Sequence, residues 1–331
     1  MRVLITGASG FLGGHMAERL LERGHDVVGL ARRTSNVSFL EGLGVEIRFG
    51  DVTSPDSLDM ATRGMDAVVH LAAYYTFSGR RELYTKINVE GTRSLLDAMI
   101  KNSVKRFVHC SSTEAIGPTN GVAGDEDTPL NPTYDYGRSK VASEKIVRDY
   151  GPKGIDYTIL RPSGIYGPRN VNDVSYWTIT SFANNDFGTR FLIGSGNNLV
   201  QFCHVDDVVQ GFSLALENEG SIGKTYIVSD ERAYPYKEVY SILSGVTGRK
   251  VPRMRVPGAL AKAFMLPIVA FNGLTGRQNF LYDLSTVDSV TSDRSYSIER
   301  IRRDLGYEPR HDLASGLEET YEWYRENGYI Q

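Results

Sequence analysis

Apolar residues along this chain fall into two patterns that take turns. Short aliphatic runs, Val3-Leu4-Ile5 and Val27-Val28, and the alternating Val45 to Phe49 read as strands, and between them lie stretches with helical spacing. The first such stretch, Phe11 to Arg23, carries Phe11, Leu12, Met16, Leu20 and Leu21 mostly on one face, and Gly24 stops it. A fourth strand, Asp66 to Ala73, is apolar almost throughout, as expected of a strand covered on both faces. Further strands are predicted at Arg106–Ser112, Tyr157–Leu160 and Lys224–Val228, with helices around Asn88–Met99, Tyr236–Val246 and Leu313–Glu326. Regular alternation of strand and helix predicts an α/β fold around a parallel sheet.

The turn after the first strand bears the chemistry. Thr6-Gly7-Ala8-Ser9-Gly10-Phe11-Leu12-Gly13 places glycines at every third position between a strand and a helix. Gly7 permits the tight turn, Gly10 allows backbone to approach a pyrophosphate, and Gly13 allows close packing of helix on strand, so the free N–H groups of the helix start face the phosphates. A glycine-rich turn without ligand is the plain alternative. At the end of the second strand, where a dinucleotide fold reads the adenosine ribose, stand Ala31-Arg32-Arg33 in place of an acid. Guanidinium groups grip a 2′-phosphate in bidentate fashion, so Arg32 and Arg33 point to NADP, with NAD as the alternative cofactor. The competing reading is a solvated basic turn.

Composition narrows the partners. The 331 residues carry 37 basic and 40 acidic side chains, net charge -3, well mixed, with no basic stripe for nucleic acid. Two cysteines, Cys110 and Cys203, form no disulfide framework, and six histidines without ligand spacing predict no metal site. The glycine strand starts at residue 2, and a cytoplasmic location is expected.

Several motifs, in order, resemble the extended short-chain dehydrogenase/reductases, the epimerase/dehydratase superfamily: T-G-x-x-G-x-x-G at 6–13, H-x-A-A at His70-Leu71-Ala72-Ala73, the serine segment Cys110 to Gly117, Y-x-x-x-K at Tyr136 and Lys140, and R-P-x-x-x-Y-G-P from Arg161 to Pro168. The resemblance covers nearly the whole chain. It implies a Rossmann-type doubly wound parallel sheet with a smaller C-terminal substrate domain, residues 1–168 binding the dinucleotide, a helix near 205–217 returning to that domain, and 169–331 mainly holding substrate. By the same resemblance Gly7, Gly10, Phe11, Leu12, Gly13, Asp51, Val52, Leu71, Ala72 and Ala73 line the cofactor, with Tyr136 and Lys140 touching it. Asp51 reads equally as a cap for the following helix, and His70 as a structural residue.

Tyr136 is the expected acid/base and Ser112 the group that holds the substrate oxygen. A phenol titrates near ~10, too high for a base at neutral pH, and Lys140 one turn away is expected to lower it. Asn88 joins as a fourth member, supporting a carbonyl or water near Lys140. Which branch of the family is indicated follows from two departures. Nucleotide-sugar enzymes keep an asparagine and an arginine on the diphosphate where this chain has Gly164 and Val200, whereas SSTEAIGP, RPSGIYGPR and IGSGNNLVQF resemble the 3β-hydroxysteroid and sterol-4-carboxylate 3-dehydrogenases. Glu114 stands where dehydratases keep a base, but Thr113 replaces the neighbouring acid, and Glu114 is read as structural. The expected activity is an NADP-dependent oxidoreductase on an apolar secondary alcohol or ketone, with a nucleotide-sugar 4-epimerase/dehydratase and a non-catalytic NADP-sensing protein as alternatives. A homodimer through helices near 90–103 and 135–150 is expected. The apolar stretch 256–271 is read as a buried helix, a substrate lid or a peripheral membrane contact, with Phe264, Met265 and Phe271 candidates for the pocket wall, and Asp206 as a helix cap or a functional carboxylate.

Overall fold

The computed structural model describes residues 1–76, 79–275 and 284–330. Strands β1 (Arg2–Thr6), β2 (Asp26–Ala31), β3 (Glu46–Phe49), β4 (Ala67–His70), β5 (Arg106–Cys110) and β6 (Asp156–Pro162) lie in one parallel sheet. After the short strands β7 (Gly164–Tyr166), β8 (Phe191–Ile193), β9 (Leu199–Val200) and β10 (Phe202–His204), strand β11 (Thr225–Val228) adds a seventh edge beside β6. The order is β11-β6-β5-β4-β1-β2-β3. Its direction reverses between β1 and β4, and the crevice beyond their ends is where such sheets take ligands.

Side chains alternate across β1, so Val3 and Ile5 face one layer and Leu4 the other. On the first face pack helix Phe11–Glu22 through Met16 and Leu20, helix Val205–Glu217 through Val208 and Phe212, and helix Glu299–Leu305 through Ile301. On the second pack Leu58, Leu95, Leu96, Ile146 and Val147 from the helices Pro55–Thr62, Gly91–Lys101 and Asp135–Tyr150. A separate core of Tyr166, Phe182, Val239, Leu313 and Tyr324 lies under the later part of the chain. The return helix appears at Val205–Glu217, and β11 extends the sheet from within the stretch assigned to the substrate half.

Three expectations change. The fourth strand stops at His70 because the Ala72 N–H turns to the Thr6 hydroxyl, 3.2 Å away, rather than to a neighbouring strand. The helix expected from Asn88 begins as a turn of π-helix, Tyr84–Glu90, and becomes α only at Gly91; such turns recur at functional sites. Residues Gly258–Thr275 form one helix through Pro267, but it is not buried: Phe264 is 69 % exposed and Phe271 55 %. Among its described side chains Ala261 is buried and Met265 and Val269 are half-buried, and Lys262 pairs with Asp288 of helix Leu284–Val290 at 2.5 Å.

Candidate functional site

At the end of β1 the glycines form a tight cradle. Gly7 has φ +70°, and a Cβ there would lie 2.8 Å from the Ala72 nitrogen. A Cβ on Gly13 would sit 2.2 Å from the Gly7 carbonyl oxygen, so helix and turn meet backbone to backbone. The Gly10 N–H donates to the Gly7 carbonyl at 3.0 Å, and the helix that follows has no side-chain cap and no acid in its first turn. Uncapped N–H groups beside an uncharged, glycine-walled surface fit a dinucleotide pyrophosphate. Phe11 and Leu12 are half-buried at the helix start, and Leu71 and Ala72 border the turn from β4, with Ala73 exposed beyond.

Around the rim, the other expected cofactor residues occupy distinct positions. Arg32 is exposed just beyond β2, while the Arg33 guanidinium lies 5.3 Å from the centre of the Phe49 ring. Asp51 Oδ1 accepts from both the N–H and the hydroxyl of Thr53 at 2.8 Å, an Asx turn that shapes the loop, and Val52 is buried against Gly91. His70 takes the structural role: its ring bridges the hydroxyls of Thr6 at 2.7 Å and Thr92 at 3.0 Å, and burial lowers its pKa to about 3.

Helix Asp135–Tyr150 places Tyr136 and Lys140 on one face. Lys140 Nζ donates to the Cys110 carbonyl at 2.7 Å and lies 5.5 Å from the centre of the Tyr136 ring. Ser112, at the end of the β5 segment, hydrogen-bonds the Tyr136 hydroxyl, and its own Oγ accepts the Glu114 N–H at 3.1 Å. Burial pushes the phenol well above its usual pKa, with Cys110, Asp173 and Glu114 adding to the rise and the Ser112 hydrogen bond opposing it. Burial lowers Lys140. In the protein alone, then, enclosure outweighs any help the lysine gives, and the tyrosine is held as an acid.

Two residues support this cluster, Gly137, which the motif left unread, and Asn88, the expected fourth member. Gly137 inside Y-x-x-x-K is required because a Cβ there would lie 2.4 Å from the Glu114 carbonyl oxygen. Asn88, in the π-turn, donates to Ser139 at 2.9 Å and to the Tyr74 carbonyl at 3.0 Å, while its Oδ1 accepts the Tyr74 N–H at 2.7 Å. Ser139 in turn donates to the Tyr136 carbonyl at 2.7 Å. Asn88 thereby ties the segment after β4 to the helix that carries Tyr136 and Lys140. Below, Glu144 accepts from Arg161 Nε and one Nη at 2.8 Å and from the Ser111 hydroxyl at 2.5 Å, so the arginine of R-P-x-x-x-Y-G-P serves as a buried brace.

Beside Tyr136 opens a cavity of about 270 Å³ with mainly apolar walls. Tyr75 connects the two, its ring 4.7 Å from that of Tyr136. Gly164, Val200 and Met265 line the space, whereas Phe264 and Phe271 face outward. A Cβ on Gly164 would already press the Phe202 ring at 3.0 Å, leaving no room for a longer polar side chain without displacing that ring. Glu114 pairs with the buried Arg294 at 2.7 Å. Asp173, which caps helix Val174–Ala183 and hydrogen-bonds Tyr75, has its carboxyl raised to about 6 by burial, with those two hydrogen bonds holding it down. Arg294, Asp173 and Tyr75 gave no motif; only Asp173 left a trace, a capping residue before an apolar run.

Residues 3–229 match the NAD dependent epimerase/dehydratase family. The whole chain is 32 % identical to the whole of sterol demethylase protein B from Methylococcus capsulatus. Against a 3-beta-hydroxysteroid dehydrogenase from Mycolicibacterium neoaurum it is 30 % identical over 98 % of this chain and 91 % of that one. Among solved structures, a dTDP-glucose 4,6-dehydratase from Streptomyces venezuelae with NAD bound superposes with a TM-score of 0.82 at 27 % identity, covering 100 % and 99 % of the two chains.

Proposed function

Because the chain belongs to the NAD dependent epimerase/dehydratase family, as an NAD(P)-dependent extended short-chain enzyme on the 3β-hydroxysteroid and sterol-4-carboxylate 3-dehydrogenase branch, we propose that it is an NADP-dependent oxidoreductase for an apolar secondary alcohol or its ketone. The observation that carries this reading is the cavity beside Tyr136. Its walls hold Gly164 and Val200 where a diphosphate would need polar anchors. A nucleotide sugar bound there would forfeit hydrogen bonds that its linkage keeps in water. An apolar alcohol would gain roughly 25 cal/mol for each Å² it buries.

When bound, the nicotinamide supplies the hydride acceptor or donor. The chain's residues handle the proton and the oxygen. Ser112 hydrogen-bonds the substrate oxygen and fixes it beside the Tyr136 hydroxyl. On reduction, the phenol, held protonated by its surroundings, gives its proton to the carbonyl oxygen as the carbon gains hydride. On oxidation the phenolate takes the hydroxyl proton while the same carbon loses hydride. Lys140, anchored on the Cys110 carbonyl, stabilises the phenolate left behind. NADP follows from Arg32 and Arg33: with Arg33 occupied on the Phe49 ring, Arg32 is assigned the 2′-phosphate. The later half of the chain, from residue 169, is assigned to substrate binding. Pairing with a second copy through helices Gly91–Lys101 and Asp135–Tyr150, and contact of 256–271 with a membrane surface, complete the reading.

A panel of steroid-like alcohols and nucleotide sugars tests it, read by NADPH absorbance and, for epimerisation without net redox, by product chromatography. Apolar alcohols should reduce NADP while the sugars do not. Turnover of a UDP- or dTDP-sugar with micromolar KM would replace this reading with the epimerase. Failure of both classes with cofactor still bound would replace it with the sensing protein.

A further inference from the structure

On the far side of the cofactor turn, His204, His311 and Glu319 come together from three places in the chain. The two imidazole rings lie 3.9 Å apart at their centres. The Nε2 atoms of both stand 3.8 Å from the same Glu319 carboxylate oxygen. His204 is wholly buried, and its Nε2 has no hydrogen-bond partner among the described residues. A buried imidazole nitrogen aimed at a carboxylate and a second imidazole, and satisfied by neither, calls for an occupant.

The opposite nitrogens have different partners, a carboxylate for His311 and a backbone N–H for His204. His311 Nδ1 meets Asp207 Oδ2 at 3.0 Å, and buried Asp207 is itself fixed by the N–H groups of Arg310 at 2.9 Å and His311 at 3.0 Å. His204 Nδ1 faces Asp206, its N–H at 3.4 Å and its Oδ2 at 3.9 Å. A carboxylate on Nδ1 fixes the tautomer that leaves Nε2 its lone pair, the second-shell arrangement of metal-bound histidines. For His204 this requires the Asp206 carboxylate to take over from the long N–H contact. All three ligand atoms lie within 4.8 Å of one another. An open groove lined by His15, Arg169, Asp206 and Trp323 reaches Glu319.

We propose that His204, His311 and Glu319 form a site for Zn²⁺, with water from the groove as fourth ligand. Two imidazoles and a carboxylate suit this borderline cation in tetrahedral geometry. Bonds of about 2.0–2.2 Å need Glu319 a few tenths of an ångström closer to each imidazole, a movement its half-exposed side chain can make, with the two rings adjusting to bring both nitrogens onto the metal. The metal would clamp the start of helix Val205–Glu217, which packs on the glycine-turn helix, to helix Leu313–Glu326. Close sequence spacing, the usual sign of a metal site, is absent because the fold supplies the proximity.

The test uses tag-free full-length protein stripped with a chelator and titrated with Zn²⁺ against a chromogenic chelator. One Zn²⁺ per chain should bind at micromolar or tighter affinity, and Co²⁺ should give the intense visible bands of a low-coordinate site. Glu319→Gln and His311→Asn, checked for folding by circular dichroism, should each weaken binding at least tenfold and leave alcohol turnover unchanged. Absence of stoichiometric binding by the parent, or binding undiminished in both variants, overturns the site.

Discussion

Tyr136 is a phenol that burial pushes well above its usual pKa, so the group proposed to move the proton is costly to ionise in the protein alone. Replacing it with phenylalanine removes the hydroxyl that hydrogen-bonds Ser112 and is proposed to reach the reacting oxygen, but leaves the glycine cradle untouched. Tyr136→Phe should therefore bind NADPH within a factor of a few of the parent while kcat falls about a hundredfold or more. Lys140→Met should damage both, because Lys140 also holds the Cys110 carbonyl. Parent-level turnover by Tyr136→Phe would remove the tyrosine from the mechanism. Arg32 carries the second prediction at this scale: NADPH should bind at least tenfold tighter than NADH, about 1.4 kcal/mol, and Arg32→Ala should narrow the gap. Equal affinities in the parent would leave Arg32 a solvated surface charge.

Elements, more than residues, explain what could be read in advance. The central strands and the helices behind Tyr136 announced themselves because a sheet covered on both faces demands apolar runs, edge strand β3 because Ile47 and Phe49 alternate with Glu46 and Arg48, and the motif residues because they lie on regular turns. Gly137, Asp173 and Arg294 stayed hidden since each owes its place to a contact with a distant segment: a carbonyl at Glu114, the hydroxyl of Tyr75, the carboxylate of Glu114. Helix Gly258–Thr275 shows the limit in another way. Its sequence is apolar all round, which reads as burial, yet the fold covers only a stripe of it. Met265, on that stripe, lines the cavity, while Phe264 faces out. Met265→Ala should raise KM for the apolar alcohol several-fold with little change in kcat. Phe264→Ser should leave both kinetic constants within about twofold, and equal effects of the two changes would place the helix away from the substrate.

For the molecule as a whole, protonation links these parts to stability. His70, His109 and His204 are all pushed down by burial, His70 to about 3 and His204 to about 4. Each stays neutral in the folded protein while the unfolded chain takes up a proton near pH ~6.5. Their contribution to stability is complete above pH ~6.5 and is lost as pH falls from there toward the folded values, since the unfolded state then binds more protons. Asp173, raised to about 6, acts in the opposite sense: between its unfolded value of 3.8 and 6 the folded form holds the extra proton, so its share of stability grows as pH falls. His70 is the term to test, because it bridges Thr6 and Thr92 at the crevice between β1 and β4. In metal-free protein, His70→Asn should flatten the dependence of unfolding free energy on pH between 5 and 6 by about one proton, ~1.4 kcal/mol per pH unit. Urea unfolding at several pH values measures the slope, and an NMR titration of the parent follows the His70 ring directly even if the variant folds poorly. A His70 ring that protonates near pH 6 in the folded protein, or an unchanged slope in the variant, would mean that the β1–β4 crevice is wetter than its packing implies.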